Sequence, residues 1–302
     1  MMGKQKAYGF AILGAALWGL IGLFVKGLYE FGFTPWEVVA IRVIASFIIM
    51  VSALGFLNRD LLKIKAKDSF YFIGTGIISI VFFNWCYFAV IDQSSLSLAV
   101  ILLYTGPIFV ALISRLLFKE ALTRSKLTAL ISTITGCGFV VGLLPFFKVT
   151  VSWYVLLVGL GSGFCYALYS IFGKYVSSKY SSLTITTYSF LFASLFMIPA
   201  GGLWDKARLF LNWEVLALSI GLGLIPTCLA YILYTNGLSS IEASKASILA
   251  TIEPVVAIIL GVTVLHDAFS SWQFIGILLV FVAILLTTER KKANKKSAMI
   301  DS

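Results

Sequence analysis

The chain has 302 residues, of which 60% are hydrophobic and 12% charged, with a formal net charge of +10. A soluble domain of this size cannot hide so much apolar surface, whereas lipid solvates it. The basic residues sit in short clusters between apolar runs, which argues against a nucleic-acid surface and for a membrane topology signal.

In chain order, ten apolar stretches are long enough to cross a bilayer: 7–26, 36–57, 69–89, 95–118, 126–144, 152–173, 183–203, 213–235, 244–264 and 271–288. Each offers about 20 residues, the length that carries a helix through the hydrocarbon core. The first lacks the short apolar core and small-residue cut site of a cleavable signal, so it reads as a mature helix.

The last five stretches repeat the first five. An offset of 147 residues superposes Pro107 on Pro254, Lys119-Glu120 on His266-Asp267, Tyr87 on Tyr234 and Asn84 on Tyr231. An offset of 148 places Trp18 on Tyr166, Lys26 on Lys174 and Ala45-Ser46 on Ala193-Ser194. Five is odd, so the second copy must run upside down, an arrangement typical of transporters with a midplane site. The chain therefore reads as an all-α membrane protein of ten transmembrane helices in two inverted five-helix repeats. The repeats are residues 1–144 and 152–288, joined by the linker 145–151 and followed by a basic cytoplasmic tail, 289–302.

Lys4, Lys6, the cluster Arg59–Lys67, Arg115–Lys126, Lys174, Lys179, Lys245 and the tail fall on one side, and only Lys26, Lys148, Lys206 and Arg208 on the other. The positive-inside rule places both termini in the cytoplasm of a plasma membrane, a bacterial inner membrane being the expected setting. Gly138 and Gly142, like Gly159 and Gly163, have a spacing that lets helix backbones touch, within one chain or between two. Cys86, Cys137, Cys165 and Cys228 fall inside helices without CxxC spacing, and the single His266 stands at a helix end. Neither disulfides nor a metal nor another cofactor is implied. No phosphate-binding GxxxxGK[ST] occurs, so the chain has no ATP site of that kind.

Helical spacing gathers polar and aromatic residues into stripes that correspond between the halves: Gly14, Trp18 and Gly22 against Ser162, Tyr166 and Ser170; Asn84 and Tyr87 against Tyr231 and Tyr234; Ser97 and Tyr104 against Ser244 and Thr251. Such stripes avoid lipid, so they converge on a common interior or fill gaps between helices. Two ionisable residues lie deep. Arg42 sits roughly 10 Å in from the outside and Glu253 roughly 14 Å in from the inside, at 1.5 Å per residue. A charge near mid-bilayer costs on the order of 2.5–3.5 kcal/mol, so each needs a partner: the other, or a ligand. Neither has a charged mate in the other repeat, where Phe190 and Gly106 stand. Pro107 and Pro254 each remove a backbone donor and predict mid-membrane kinks. Lys119-Glu120 and His266-Asp267 read as helix-end charges meeting water.

On these residues the chain resembles the EamA-like members of the drug/metabolite transporter superfamily. The match rests on the repeat arrangement, Trp18-Gly19, Arg42, Glu253-Pro254 and the acidic residue closing helices 4 and 9. The resemblance implies a central cavity lined by helices 1–4 and 6–9, with helices 5 and 10 peripheral, and movement of small metabolites, often amino acids. The small multidrug relatives use an acid in their first helix, but residues 7–25 contain none, which leaves Glu253 to carry a proton.

The expectation is a secondary active transporter of a small metabolite, an amino acid or derivative, working by alternating access and using protons as coupling ion. Its substrate site would comprise Trp18, Arg42, Asn84, Tyr87, Tyr104, Tyr166, Tyr231, Tyr234 and Glu253. Two other classes stay open: a non-transporting membrane sensor or scaffold, and an intramembrane enzyme. The second lacks a base beside a nucleophile, because the only histidine lies at the membrane surface.

Overall fold

The computed structural model describes residues 3–145 and 151–288. Most of the linker and the basic tail lie outside that range. Among the described residues, nine helices are long and apolar enough to cross a membrane. They are α1 Lys4–Glu30, α2 Pro35–Leu57, α3 Ala66–Gln93, α4 Leu96–Leu117, α6 Trp153–Val176, α7 Ser182–Ala200, α8 Trp213–Ser240, α9 Ala243–Val264 and α10 Ser271–Thr288. Between α4 and α6 lies α5, Arg124–Val140. At 17 residues it is the shortest of the ten, whereas the apolar run from 126 to 144 reads as a full span. Its last turn gives way at Val141–Gly142, where Gly142 adopts a φ of +74° and stops the helix.

The helix starts follow from local chemistry. Ser95, Thr123, Ser152 and Ser181 each accept a first-turn N–H of α4, α5, α6 and α7, and Asn212 does so for α8. Thr34 and Glu37 form a reciprocal capping box ahead of Pro35, which sits in the first turn of α2, where its missing N–H costs nothing. Lipid offers no water to orphaned N–H groups, so these caps matter more than on a soluble surface.

Five of the helices are irregular. α1 is interrupted at Gly19–Leu20, α4 at Tyr104–Thr105 and α9 at Ala250–Thr251. α3 carries a π-helical stretch, Gly74–Phe82, and α8 carries one at Leu224–Leu229. The expected proline kinks take this form: Pro107 and Pro254 sit in the first turn of a restarted helix, not in the middle of a bent one.

Small residues set the closest approaches. A Cβ on Gly14 would stand 2.5 Å from the Tyr234 backbone nitrogen, so α1 and α8 touch backbone to backbone. Gly136 and Gly276 do the same for α5 and α10. Gly159 and Gly163 pack on Leu102 and Thr105 of α4, so their spacing serves contacts within the chain. α5 and α10 pack chiefly on each other and turn Ile131, Phe281 and Leu285 outward, where lipid is their natural solvent.

Candidate functional site

The interruption in α1 positions the first ring. Gly19 lies against the Glu253 carbonyl, where a Cβ would come within 2.8 Å of the oxygen, and this holds Trp18 beside the break in α9. Trp18 is 5% exposed and meets three tyrosines: Tyr234 at 4.9 Å, Tyr231 at 5.1 Å and Tyr166 at 6.4 Å between ring centroids. Phe83 packs edge-on against Tyr166 at 5.7 Å and leads to Tyr87 at 6.1 Å. Two hydrogen bonds steady this wall: the hydroxyls of Ser170 and Tyr234, 2.7 Å apart, and of Tyr169 and Thr235, 2.8 Å apart. Both tie α6 to α8.

Arg42 enters from α2. Its Nε donates to Thr227 Oγ1 at 3.0 Å, and its guanidinium lies 5.8 Å from the Tyr231 ring centroid. The π-helical stretch of α8 makes Thr227 available, since the Thr227 hydroxyl itself donates to the Leu222 carbonyl five residues back. Glu253, in the restarted turn of α9, has the Tyr104 hydroxyl within hydrogen-bonding reach and feels the Arg42 charge. The hydroxyls of Tyr87 and Tyr166 lie within electrostatic reach of the same carboxyl. Among the described residues neither Arg42 nor Glu253 belongs to an ion pair, so the direct salt bridge that would make them mere packing is not formed. Arg42, Tyr87, Tyr166 and Glu253 all keep partial accessibility although they lie deep in the bundle. The indole Nε1 of Trp18 is buried with no hydrogen-bond partner among the described residues.

Of the expected residues, Trp18, Arg42, Tyr87, Tyr104, Tyr166, Tyr231, Tyr234 and Glu253 are brought together. Asn84 is buried, and its amide donates to the Ile80 carbonyl of its own helix at 2.7 Å. Tyr169 belongs to the cluster, edge-on to Tyr231 at 4.9 Å. Its position three residues after Tyr166, on the same helix face, was the signal for it.

One expectation fails. Glu120 does not meet water at a helix end; it is 8% exposed. Its carboxylate accepts the N–H of Ala243 at 2.6 Å and of Ser244 at 3.1 Å, together with the hydroxyls of Ser244 and Ser114. Lys126 lies 3.6 Å away and also pairs with Glu242. The physical reason is the start of α9: its first-turn N–H groups have no intrahelical acceptor, and a carboxylate both satisfies them and complements the positive helix end. At the same end of the bundle Lys174 closes α8, donating to the carbonyls of Leu238, Ser239 and Ile241 at 2.9, 3.2 and 2.6 Å. Asp68 also ties α3 to Lys179 and Tyr180 there, and its carboxylate holds the Lys179 ammonium above the ordinary lysine range. His266 and Asp267, by contrast, are exposed.

A multi-pass helical bundle with a ring-lined, sparsely charged interior is the architecture of a membrane transporter. The chain belongs to the EamA-like transporter family, whose profile matches residues 5–142 and again 152–289. An uncharacterized transporter of Archaeoglobus fulgidus is 25% identical over 91% of this chain and 93% of its own length. The Bacillus subtilis transporter YwfM is 23% identical over 95% of each. The threonine/homoserine exporter RhtA of Escherichia coli is 26% identical over 72% of this chain and 71% of its own. A solved crystal structure superposes with a TM-score of 0.74 at 15% identity, covering 93% of this chain and 97% of that one, which is a likeness of fold.

Proposed function

We propose that the chain is a secondary active transporter of a zwitterionic metabolite, an amino acid or derivative, across the plasma membrane. Ten transmembrane helices in two inverted repeats, with both termini cytoplasmic, would alternate access around the ring cluster. The observation that carries this reading is a guanidinium and a carboxyl left unpaired around one aromatic interior. Arg42 retains donors for a substrate carboxylate, and paired N–H···O contacts of that kind are short and strong. The buried Trp18 N–H offers a further donor. Glu253 would meet the ammonium, and the faces of Tyr166 and Tyr231 would hold the side chain or the cation. The name of RhtA, which specifies threonine and homoserine, supports the same substrate class.

Glu253 is also the carboxyl through which a proton could cross, since a substrate that occupies Arg42 alters the field acting on it. Proteoliposome counterflow with a labelled amino-acid panel, run with and without a pH gradient, tests both statements. At least one amino acid should exchange, and the gradient should drive its accumulation. Glu253→Gln should lose gradient-driven accumulation while retaining exchange. Unchanged accumulation by that variant would remove Glu253 as the carrier, and no exchange of any amino acid would remove the substrate class.

A further inference from the structure

The two acids that close α4 and α9 are presented by the same backbone turn. Lys119 has a φ of 55° and His266 one of 59°, an unusual left-handed conformation for residues other than glycine. The next N–H then folds back in both copies, from Glu120 to the Ser114 carbonyl at 3.3 Å and from Asp267 to the Gly261 carbonyl at 3.0 Å. The Ser114 hydroxyl steadies Glu120 at 3.2 Å, and the Asp267 carboxylate lies over Gly261, 2.7 Å from where a Cβ would stand. Identical turns therefore aim two carboxylates, yet only Glu120 is docked.

The offset of 147 that relates Glu120 to Asp267 relates Ala243 and Ser244 to Leu96 and Ser97. Leu96 and Ser97 open α4, so their N–H groups have no intrahelical acceptor. The Ser97 hydroxyl donates to the Val141 carbonyl at 2.8 Å, a contact it would exchange. The same comparison holds for two lysines. Lys174 caps the end of α8, whereas its mate Lys26 is exposed and the matching carbonyls, Ile91, Asp92 and Ser94, end α3. Packing follows the same pattern. The first half of α9 packs on the second half of α4 and on α6, while the first half of α4 and the second half of α9 are not a closely packed pair among the described residues.

We infer that Glu120 with Lys174, and Asp267 with Lys26, are the two alternating latches of the transport cycle, and that this structure has the cytoplasmic latch shut and the external one open. Resting on the alternating-access reading above, the inference states what forms in the other state. Asp267 accepts the N–H groups of Leu96 and Ser97 and the Ser97 hydroxyl, Lys26 caps α3 beside Asp92, and the Glu120 and Lys174 contacts break. Each acid joins a helix start to the opposite repeat and each lysine braces a helix end of its own repeat, so the interior is sealed on one side at a time.

The test needs no substrate. Spin labels at Gln93→Cys and Phe269→Cys, both exposed at the external end, report its opening in liposomes by electron–electron distance measurement, in a background with the four native cysteines replaced. The parent should show a long and a short distance. Asp267→Asn and, separately, Lys26→Met should deplete the short population about threefold or more, and Glu120→Gln or Lys174→Met should enrich it by a similar factor. Two populations that ignore both Asp267→Asn and Lys26→Met would overturn the latch and leave alternating access standing. A single long distance in the parent and in Glu120→Gln would overturn alternating access itself, and the latch with it.

Discussion

A buried indole N–H left without an acceptor costs about 1–3 kcal/mol, and among the described residues nothing accepts from Trp18 at the centre of the ring cluster. Packing alone would be served as well by a phenylalanine. Trp18→Phe therefore separates the two uses of this side chain: it keeps a ring against Tyr231 and Tyr234 and deletes the donor. We expect Trp18→Phe to bind the exchanged amino acid several-fold more weakly with little change in melting temperature. Trp18→Ala and Tyr166→Ala should lose more, up to roughly thirtyfold for a desolvated aromatic–cation contact of about 2 kcal/mol. Phe281→Ala, on the lipid-facing side of α10, should leave affinity unchanged. Isothermal titration paired with a thermal melt for the four variants decides the matter; lower stability with unaltered affinity would make the cluster a packing core. Most of this cluster was legible beforehand, because rings repeat at matched positions in two copies and polar stripes must avoid lipid. Arg42 and Glu253 were legible for the same reason, as deep charges have few places to go. The bond from Asn84 to the Ile80 carbonyl was not legible, because an amide inside a helix can donate to the carbonyl one turn back and sequence spacing does not reveal that choice.

At the scale of the helix, the glycines of α1 make opposite predictions although they share one stripe. Gly14 faces the backbone of α8 at Ala230 and Tyr234, which cannot yield, while Gly22 has open space around it. Gly14→Ala should push α1 from α8 and destabilise the protein by about 1–3 kcal/mol, the usual cost of overpacking. Gly22→Ala should be neutral or slightly stabilising, since alanine is the better helix former. Midpoints of detergent-solubilised thermal melts would show the difference, and equal midpoints would contradict the backbone contact. Here the sequence is a poorer guide. Both residues read as cavity-lining candidates, and only the crossing geometry distinguishes a contact from a space. Glu120 was obscured for a related reason: its partners lie 123 and 124 residues further along, at a helix start that looks like any other loop.

For the whole molecule, hydropathy marked nine stretches that the described residues carry as helices long enough to cross a membrane, and the tenth, α5, ends early. Orientation rests on the distribution of basic residues and makes a direct prediction. Single cysteines at Lys65 and Arg124 should be protected from a membrane-impermeant thiol reagent in intact cells, whereas one at Arg208 should react. Labelling at Lys65 without labelling at Arg208 would reverse the assignment. Of the five irregular helices, those of α4 and α9 were marked by Pro107 and Pro254, whereas the break in α1 and the π turns of α3 and α8 were not legible, because they preserve the apolar composition that marks a span.

The π-helical stretches of α3 and α8 set the rotation of everything that follows them. A π turn is what a helix becomes when it absorbs an extra residue without breaking its ladder. Gly74 and Gly76 flank the start of one stretch, and Gly221 and Gly223 precede the other at the same offset of 147 that holds at Tyr87, Pro107 and Glu120. The two stretches, 74–82 and 224–229, therefore stand at matched positions along the chain. A single-residue deletion in either stretch would rotate everything after it by about 100°, one helical step. In α8 that would carry Tyr231 and Tyr234 off their present face, so the π turn sets which side of α8 the ring cluster sees.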